Sequence, residues 1–359
     1  MSKLKVGMVG IGRATAYGRI FSEHPLTEVT ALCDFNEEKL AQSAKDFQLP
    51  ENQIFTRYDD FLTADIDIVV LGTPMPYHAE QVVKALAADK HVLSEVTVAS
   101  TLEGCKQVYE AVQKSNKKYM LAENCCYMHS LMEWKRMKEE GRLGDVYYAE
   151  ADYVHEIRDL IIDAETGEER WRVDRAPLHY CSHSLGPILQ LLDEDDYIVR
   201  CTGSGKDATI IPHKGDGFID MQVGLFQTKK GVTIKVLRSS VATRKTPLSA
   251  YSVYGTKGCL ESGRTTYVNT GLRYIEGEDE ACVPMEFTYT DPNAPEHANL
   301  GGHGTTEFYL INDFLDSIIH DTKPPIDIVR ALDMSVPGLI AHEAAMEGGV
   351  WKEVPVFWR

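Results

Sequence analysis

Two parts of this 359-residue chain carry residue types whose spacing suits chemistry. The first is the turn Gly10-Ile11-Gly12-Arg13-Ala14-Thr15-Ala16-Tyr17-Gly18, directly after a short apolar run. A tight strand-to-helix turn needs the backbone freedom of glycine, and a second glycine lets a pyrophosphate approach the next helix N-terminus. Gly10 and Gly12 fit those roles, while Thr15 stands where a third glycine is usual. Asp34 follows Gly10 by 24 positions, at the end of the next strand-like run. An acid there accepts hydrogen bonds from adenosine ribose hydroxyls. Phe35-Asn36-Glu37-Glu38 holds no arginine, so a 2′-phosphate would meet negative charge. The expected cofactor is NAD rather than NADP, the alternative being a helix-capping Asp34 on a fold that binds no dinucleotide.

The second part spans the middle of the chain: His155, Arg172, His179, Tyr180 and His183, with His303 farther on. Imidazole changes charge near neutral pH and serves as a general base. A phenol can relay or hold a proton. Tyr180 and His183 lie three apart, which puts both on one helix face. Taken alone, His183 reads as a satisfied, partly buried histidine, and Arg172 as a partner for nearby Glu168 or Glu169. Glu123, His155, His179 and His183 are metal-ligand types, but their spacing matches no tight metal motif. No metal is expected.

The elements that must position these residues follow a readable plan. Strand-like runs at Lys5–Val9, Val29–Asp34, Ile66–Leu71, His91–Glu95 and Tyr119–Glu123 alternate with helical stretches at Glu37–Phe47, His78–Ala88 and Leu102–Ser115. Such alternation predicts βαβ units and a parallel sheet. Thr73-Pro74 shapes the end of the third strand, where ligands bind in open α/β sheets, and His78 reads as a helix N-terminal residue. From Val146 the pattern changes to successive strands at Val146–Val154, Ile219–Gln227, Val232–Val241, Ser249–Tyr254 and Cys259–Glu261, separated by Gly-Asp, Lys-Lys-Gly and Gly-Thr-Lys-Gly turns. These predict a mainly antiparallel sheet. Helices over Phe308–His320 and Ile328–Gly348 close the chain. The reading is an α/β Rossmann domain over 1–123, then an α+β domain over 124–359 whose closing helices partly pack back on the first. His155 and Glu156 are expected on opposite faces of a strand. Glu194-Asp195-Asp196 reads as a solvated turn and Glu276–Glu280 as a loop.

Composition narrows the function. Lys plus Arg number 37 against 54 Asp plus Glu, a net charge of −17. That disfavours nucleic acid and anionic membrane surfaces as partners, though helix N-termini can still hold a cofactor phosphate. The eight cysteines form no Cys-x-x-Cys pair and read as reduced cytosolic thiols. Met1-Ser2-Lys3-Leu4-Lys5 runs straight into a strand-like segment without a charged-then-apolar leader, so a cytoplasmic location is expected.

Taken together, Gly10-Ile11-Gly12-Arg13, Asp34, Thr73-Pro74-Met75-Pro76-Tyr77-His78, Lys90-His91-Val92-Leu93-Ser94-Glu95, Gly301-Gly302-His303-Gly304 and Val354-Pro355 resemble the Gfo/Idh/MocA family of nicotinamide-dependent sugar oxidoreductases. The resemblance runs over essentially the whole chain. It implies cofactor contacts by Gly10, Gly12, Arg13, Asp34, Thr73, Pro74, His78, Glu95 and Asn124, and a dimer or tetramer formed through the open sheet. One position departs: dehydrogenases of the family usually carry Glu-Lys-Pro, the lysine serving as acid/base, where this chain has Glu95-Val96-Thr97.

Glu123-Asn124-Cys125-Cys126-Tyr127, Tyr153-Val154-His155-Glu156, Trp171-Arg172 and His179-Tyr180-Cys181-Ser182-His183-Ser184-Leu185-Gly186-Pro187 look like one branch, the NAD-dependent glycosidases related to α-N-acetylgalactosaminidase (glycoside hydrolase family 109). There too the lysine is replaced, and a Tyr-x-x-His pair ahead of Leu-Gly-Pro carries the acid/base work. Tyr180 and His183 occupy that pair, with Cys181 where proline is common. The resemblance implies redox-neutral cleavage of a carbohydrate substrate through a 3-keto intermediate, with His155, Arg172, His179 and His303 binding substrate. The alternatives are a net dehydrogenase of a sugar, glycoside or cyclitol, and a non-catalytic sensor that binds NAD(H).

Overall fold

The apolar runs of the first 120 residues form a six-stranded parallel sheet: β1 (Leu4–Val9), β2 (Thr27–Cys33), β3 (Ile54–Phe55), β4 (Ile68–Leu71), β5 (His91–Ser94) and β6 (Tyr119–Leu121), in the order β3-β2-β1-β4-β5-β6. The computed structural model describes residues 2–207, 210, 219–244, 248–264 and 270–359, with backbone alone at 206–207. Helices α1 (Ile11–Glu23), α2 (Glu37–Asp46), α3 (Tyr58–Phe61), α4 (His78–Ala87) and α5 (Leu102–Lys114) lie between the strands. The two-residue β3 and one-turn α3 are too short for periodicity to reveal.

The strand order reverses between β1 and β4, which is where open α/β sheets bind their ligands. Each of these strands is followed by a glycine, Gly10 or Gly72, and each glycine makes room for the other. A Cβ on Gly10 would stand 2.5 Å from the Gly72 carbonyl carbon, and one on Gly72 would stand 2.8 Å from the Gly10 oxygen. Gly10 also has φ +77°, the left-handed region that side chains resist. Thr15, in the third-glycine position, bonds its hydroxyl to the Ile11 carbonyl at 2.7 Å. The close packing of helix on strand occurs one turn later, where a Cβ on Gly18 would lie 2.3 Å from the Met8 sulfur.

The chain forms two compact units: Met1–Met128, Tyr289–Leu332 and Trp358–Arg359 in one, and His129–Thr288 with Asp333–Phe357 in the other. The second unit begins with α6 (His129–Glu139), β7 (Val146–Val154) and α7 (Ser182–Leu189). It continues through β8 (Ile198–Asp207), β9 (Ile219–Thr228), β10 (Thr233–Ser239), β11 (Leu248–Gly255), β12 (Gly258–Ser262), β13 (Thr270–Ile275) and β14 (Val283–Glu286). The Gly-Asp turn ahead of Ile219 lies outside the described residues. Helix α8 (Thr306–Ile319) belongs to the first unit's returning stretch, and α9 (Ile328–Met346) and β15 (Lys352–Glu353) follow.

The second sheet has nine strands in the order β14-β13-β12-β11-β7-β10-β9-β8-β15. It is mixed: every pair is antiparallel except β7 with β10, which run parallel. β7 therefore sits in the middle of the sheet, although it comes first in sequence. Alternation along β7 and β10 puts Ala149, Ala151 and Tyr153, together with Ile234, Val236 and Arg238, on the inward face. β7 stops at Val154, so the alternation expected at His155 and Glu156 is not present. Asp196 is not solvated either: it is buried, and it accepts the Thr228 hydroxyl at 2.9 Å and the Lys230 amide at 2.9 Å. Glu276–Glu280 does form a turn, centred on Gly277 at φ +83°.

Candidate functional site

The first unit builds a dinucleotide cradle at the switch point. Gly12 lies in the first turn of α1, and a Cβ there would meet nothing within 4 Å, so the cradle stays open on the side a pyrophosphate would approach. Asp34 holds the turn from beneath: its carboxylate accepts the Ile11 amide at 2.8 Å and the Asn36 amide at 2.9 Å. The cap of α2 is Asn36, whose side chain accepts the Lys39 amide at 2.9 Å. Asp34 is therefore not the helix cap. Glu37 and Glu38 occupy the first turn of α2, which puts negative charge where a 2′-phosphate would lie. Phe35, beside Asp34, is 85% exposed and offers an aromatic face with no packing duty.

The far end of the cradle is held together by polar contacts. His78 is buried, with Nδ1 2.8 Å from the Thr97 carbonyl oxygen and Nε2 2.8 Å from that of Thr73. It links the end of β4 to the loop after β5, a positioning part rather than an open ligand. The Thr73 hydroxyl bonds to Gln81, and Pro74 caps the short helical turn Met75–Tyr77. Glu95 accepts from Arg13 and, at 2.7 Å, from the Tyr17 hydroxyl. Burial and then the Glu95 charge push the Tyr17 phenol well above its ordinary range, so it remains a donor. Asn124 is buried with its Oδ1 unpartnered, an acceptor available to a cofactor amide.

His303 lies in the first unit's returning stretch, with Nδ1 against the buried Glu307 carboxylate. Burial would raise the Glu307 carboxyl, but the His303 hydrogen bond and charge bring it below its ordinary value. Thr306 donates to the other Glu307 oxygen at 2.9 Å.

The second unit gathers the rest. Tyr180 ends the turn Pro177–Tyr180, and His183 lies in the first turn of α7. Their rings meet edge-on with centroids 4.9 Å apart, and His183 also packs at 5.0 Å against Tyr153 of β7. The Tyr153 hydroxyl reaches His155 Nδ1 at 3.3 Å. Tyr251 of β11 donates to the His183 carbonyl at 2.7 Å, which fixes the start of α7 against the sheet. His179 is turned elsewhere. Its ring stands 4.5 Å from that of His342 in α9, which in turn bonds Gln222 at 3.1 Å. Burial first, then His342 and Arg175, hold the His179 imidazole down at about 3.

Arginines wall this cluster. Arg172 lies over Trp171 at 4.4 Å and, among the described residues, forms no ion pair with Glu168 or Glu169. Arg238 donates to the carbonyls of Tyr180 (3.0 Å) and Tyr153 (3.1 Å) and lies over the Tyr153 ring at 4.5 Å. Arg175 lies over the Tyr180 ring at 4.4 Å. Sequence reading missed Tyr153, Arg175 and Arg238. Alternation along β7 and β10 could have found two of them, because it aims Tyr153 and Arg238 into the apolar face.

Residues 4–123 match the GFO_IDH_MocA family, described as an oxidoreductase family with an NAD-binding Rossmann fold. The first domain belongs to the Gfo/Idh/MocA oxidoreductases. NAD is the cofactor, and the chain is an NAD-dependent enzyme of that type. A glycosyl hydrolase family 109 protein of Solibacter usitatus is 26% identical over 389 residues, covering 99% of this chain and 88% of the relative. Among solved structures, an oxidoreductase domain protein from Kribbella flavida superposes with a TM-score of 0.83 at 20% identity, covering 99% of this chain and 100% of that one. A levoglucosan dehydrogenase in complex with NADH and levoglucosan gives 0.82 at 19% identity, again over 99% and 100%. These structural likenesses establish a shared fold.

The cradle fits NAD. Gly12 leaves open space, Asp34 presents its carboxylate beside the glycine turn, and Asn124 offers a buried free acceptor. Among the described residues, no helix is long and apolar enough to cross a membrane.

Proposed function

We propose that the protein is an NAD-dependent enzyme of sugars that cleaves a glycoside without net redox change, through a 3-keto intermediate. The observation that carries this reading is the Tyr180–His183 ring pair in a chain with Val96 where family dehydrogenases carry their acid/base lysine. Valine moves no proton, so the acid/base work needs other residues, and this pair has the right types. The Solibacter usitatus relative, named as glycosyl hydrolase family 109, supports the same branch.

NAD, when bound, supplies acceptance and return of a hydride. Gly10, Gly12, Arg13, Asp34, Thr73, Pro74, His78, Glu95 and Asn124 form or brace its cradle. In the second unit, Tyr180 holds the proton of the sugar hydroxyl that becomes a ketone. The ketone acidifies the neighbouring C2 proton, and His183 removes it as general base. The glycosidic group then leaves and water adds in its place. Arg238, bonded to the Tyr180 carbonyl, puts positive charge beside the position where negative charge develops. His155 and Arg172 bind sugar hydroxyls, as does His303 through the ring nitrogen that does not face Glu307, whereas His179, packed against His342, takes no part in sugar binding.

A paired optical assay tests the reading: p-nitrophenyl glycosides and free sugars are offered with NAD⁺ while nitrophenol and NADH are followed together. Many turnovers of nitrophenol without stoichiometric NADH are expected. NADH accumulating with sugar and no nitrophenol would instead establish a net dehydrogenase, the reading to which the shared fold of the levoglucosan dehydrogenase lends support. No turnover of either kind would leave an NAD-binding sensor. The enzyme works as a dimer or tetramer through the outer face of its nine-stranded sheet, in the cytoplasm.

A further inference from the structure

Among the described residues, Arg175 is a buried cation without a counter-charge. It is 5% exposed. Its Nη2 donates to the Ser240 hydroxyl at 3.0 Å, and its Nε–H finds no acceptor. Among the described residues no carboxylate reaches it. The nearest charges are those of Arg238 and Arg172, both positive, and burial followed by the Arg238 charge pulls the guanidinium down to about 9. Its flat neighbours are the faces of Tyr180 at 4.4 Å and Trp171 at 5.5 Å, which offer cation–π attraction but no negative charge.

The setting makes this unusual for the chain. With 54 acidic residues against 37 basic ones, arginines of this chain readily find partners: Arg170 pairs with Asp163, Arg158 with Glu156 and Arg264 with Asp152. A buried charge normally persists only when it is paired. Here the sequence has placed two arginines, Arg172 and Arg175, on one short turn beside the acid/base pair, and among the described residues neither has an acid. A guanidinium edge with free Nε–H and Nη–H donors matches the two oxygens of a carboxylate.

We propose that Arg175 recognises a carboxylate carried by the sugar, so that the substrate class is a uronic acid or a similar acidic glycoside. This deepens the sugar-enzyme reading and rests on it. The substrate completes an ion pair that the described residues leave half made, beside the rings of Trp171 and Tyr180. The two buried arginines have separate roles. Arg238 is tied to backbone carbonyls and positions Tyr180 and Tyr153, whereas Arg175 keeps a donor for the ligand.

The test is calorimetric titration of the NAD-loaded protein with D-glucuronate, D-galacturonate, D-glucose and D-galactose. At least one uronate should bind about tenfold or more tighter than its neutral counterpart, as expected for a charge-assisted fork. Arg175→Gln should erase that preference while leaving NAD affinity as it was. Arg175→Lys, which keeps the charge and loses the fork, should retain only part of it. The ligand-free Arg175→Gln protein should melt at the same temperature or higher, because the charge removed has no partner. Equal or tighter binding of the neutral sugars, a preference that survives in Arg175→Gln, or a lowered melting temperature in that variant would each overturn the proposal. Turnover of neutral glycosides without uronate preference would do so while leaving the sugar-enzyme reading intact; failure of all four sugars to bind would count against both.

Discussion

The ring of Tyr180 stands edge-on to that of His183, with centroids 4.9 Å apart and planes at 86°. A phenol and an imidazole so placed can hold protons over adjacent atoms of one bound sugar. His183→Ala should lower kcat by roughly 10²–10⁴-fold, the usual range for a general acid or base. Tyr180→Phe should cost less and should leave exchange of the C2 proton with solvent measurable by deuterium incorporation. NAD affinity should be unchanged in both, since the cradle lies in the first unit. A His183→Ala enzyme with wild-type kcat would remove this pair from the chemistry.

Gly10 and Gly12 are two residues apart and serve opposite needs. A Cβ on Gly10 strikes the Gly72 backbone at 2.5 Å, and its φ of +77° resists any side chain. Gly10→Ala should therefore destabilise the fold itself, by about 1 kcal/mol from the backbone conformation and more from the collision. A Cβ on Gly12 meets nothing within 4 Å. Gly12→Val should melt close to the wild-type temperature yet lose NAD affinity tenfold or more, about 1.4 kcal/mol. Thermal melts alongside nucleotide titrations check both, and a Gly12 variant that binds NAD normally would place the pyrophosphate elsewhere.

The contrast shows why the first domain was legible. Turn glycines, an acid at a strand end and βαβ periodicity are local features, and each maps to one position. The central placement of β7 and its parallel pairing with β10 depend on residues about 85 apart, as in the Ala149–Ile234 pair, and leave no local trace. β8 was invisible because its Thr202-Gly203-Ser204-Gly205 stretch lacks apolar alternation. Nothing local in the sequence marks Arg175. Its burial comes from Ser240, Trp171 and Tyr180 around it, a tertiary fact. Asp196 was misread for the same reason, since Thr228 and Lys230 claim it from 32 and 34 residues away.

His179 supplies a pH dependence. Its folded value of about 3 lies below the ordinary 6.5, so the folded protein binds fewer protons than the unfolded chain between those limits. Unfolding takes up a proton there. The contribution to stability is full above 6.5 and is lost as pH falls, at no more than about 1.4 kcal/mol per pH unit. Burial shifts His342 the same way. The urea midpoint should fall between pH 7 and pH 5, and His179→Gln should flatten that slope. Equal slopes in the two proteins would mean that His179 is charged in the fold.

The outer face of the second sheet predicts how copies assemble. Along β9 every second residue points outward, and Met221, Val223 and Leu225 are exposed. Register carries the Leu225 row across Lys235, Glu150, Ser252 and Glu261 to exposed Leu272. Lys235 pairs with Glu150, so the row mixes apolar and charged groups of both signs. A two-fold axis through such a face sets each patch against its own copy, and apolar residues and opposite charges can then be matched together. Wild-type protein should sediment as a dimer or tetramer, and Val223→Glu combined with Leu225→Glu should sediment as a monomer with unchanged NAD affinity. The two glutamates point away from the core, so they should not unfold the chain. A variant that keeps the wild-type assembly would move the interface off this sheet.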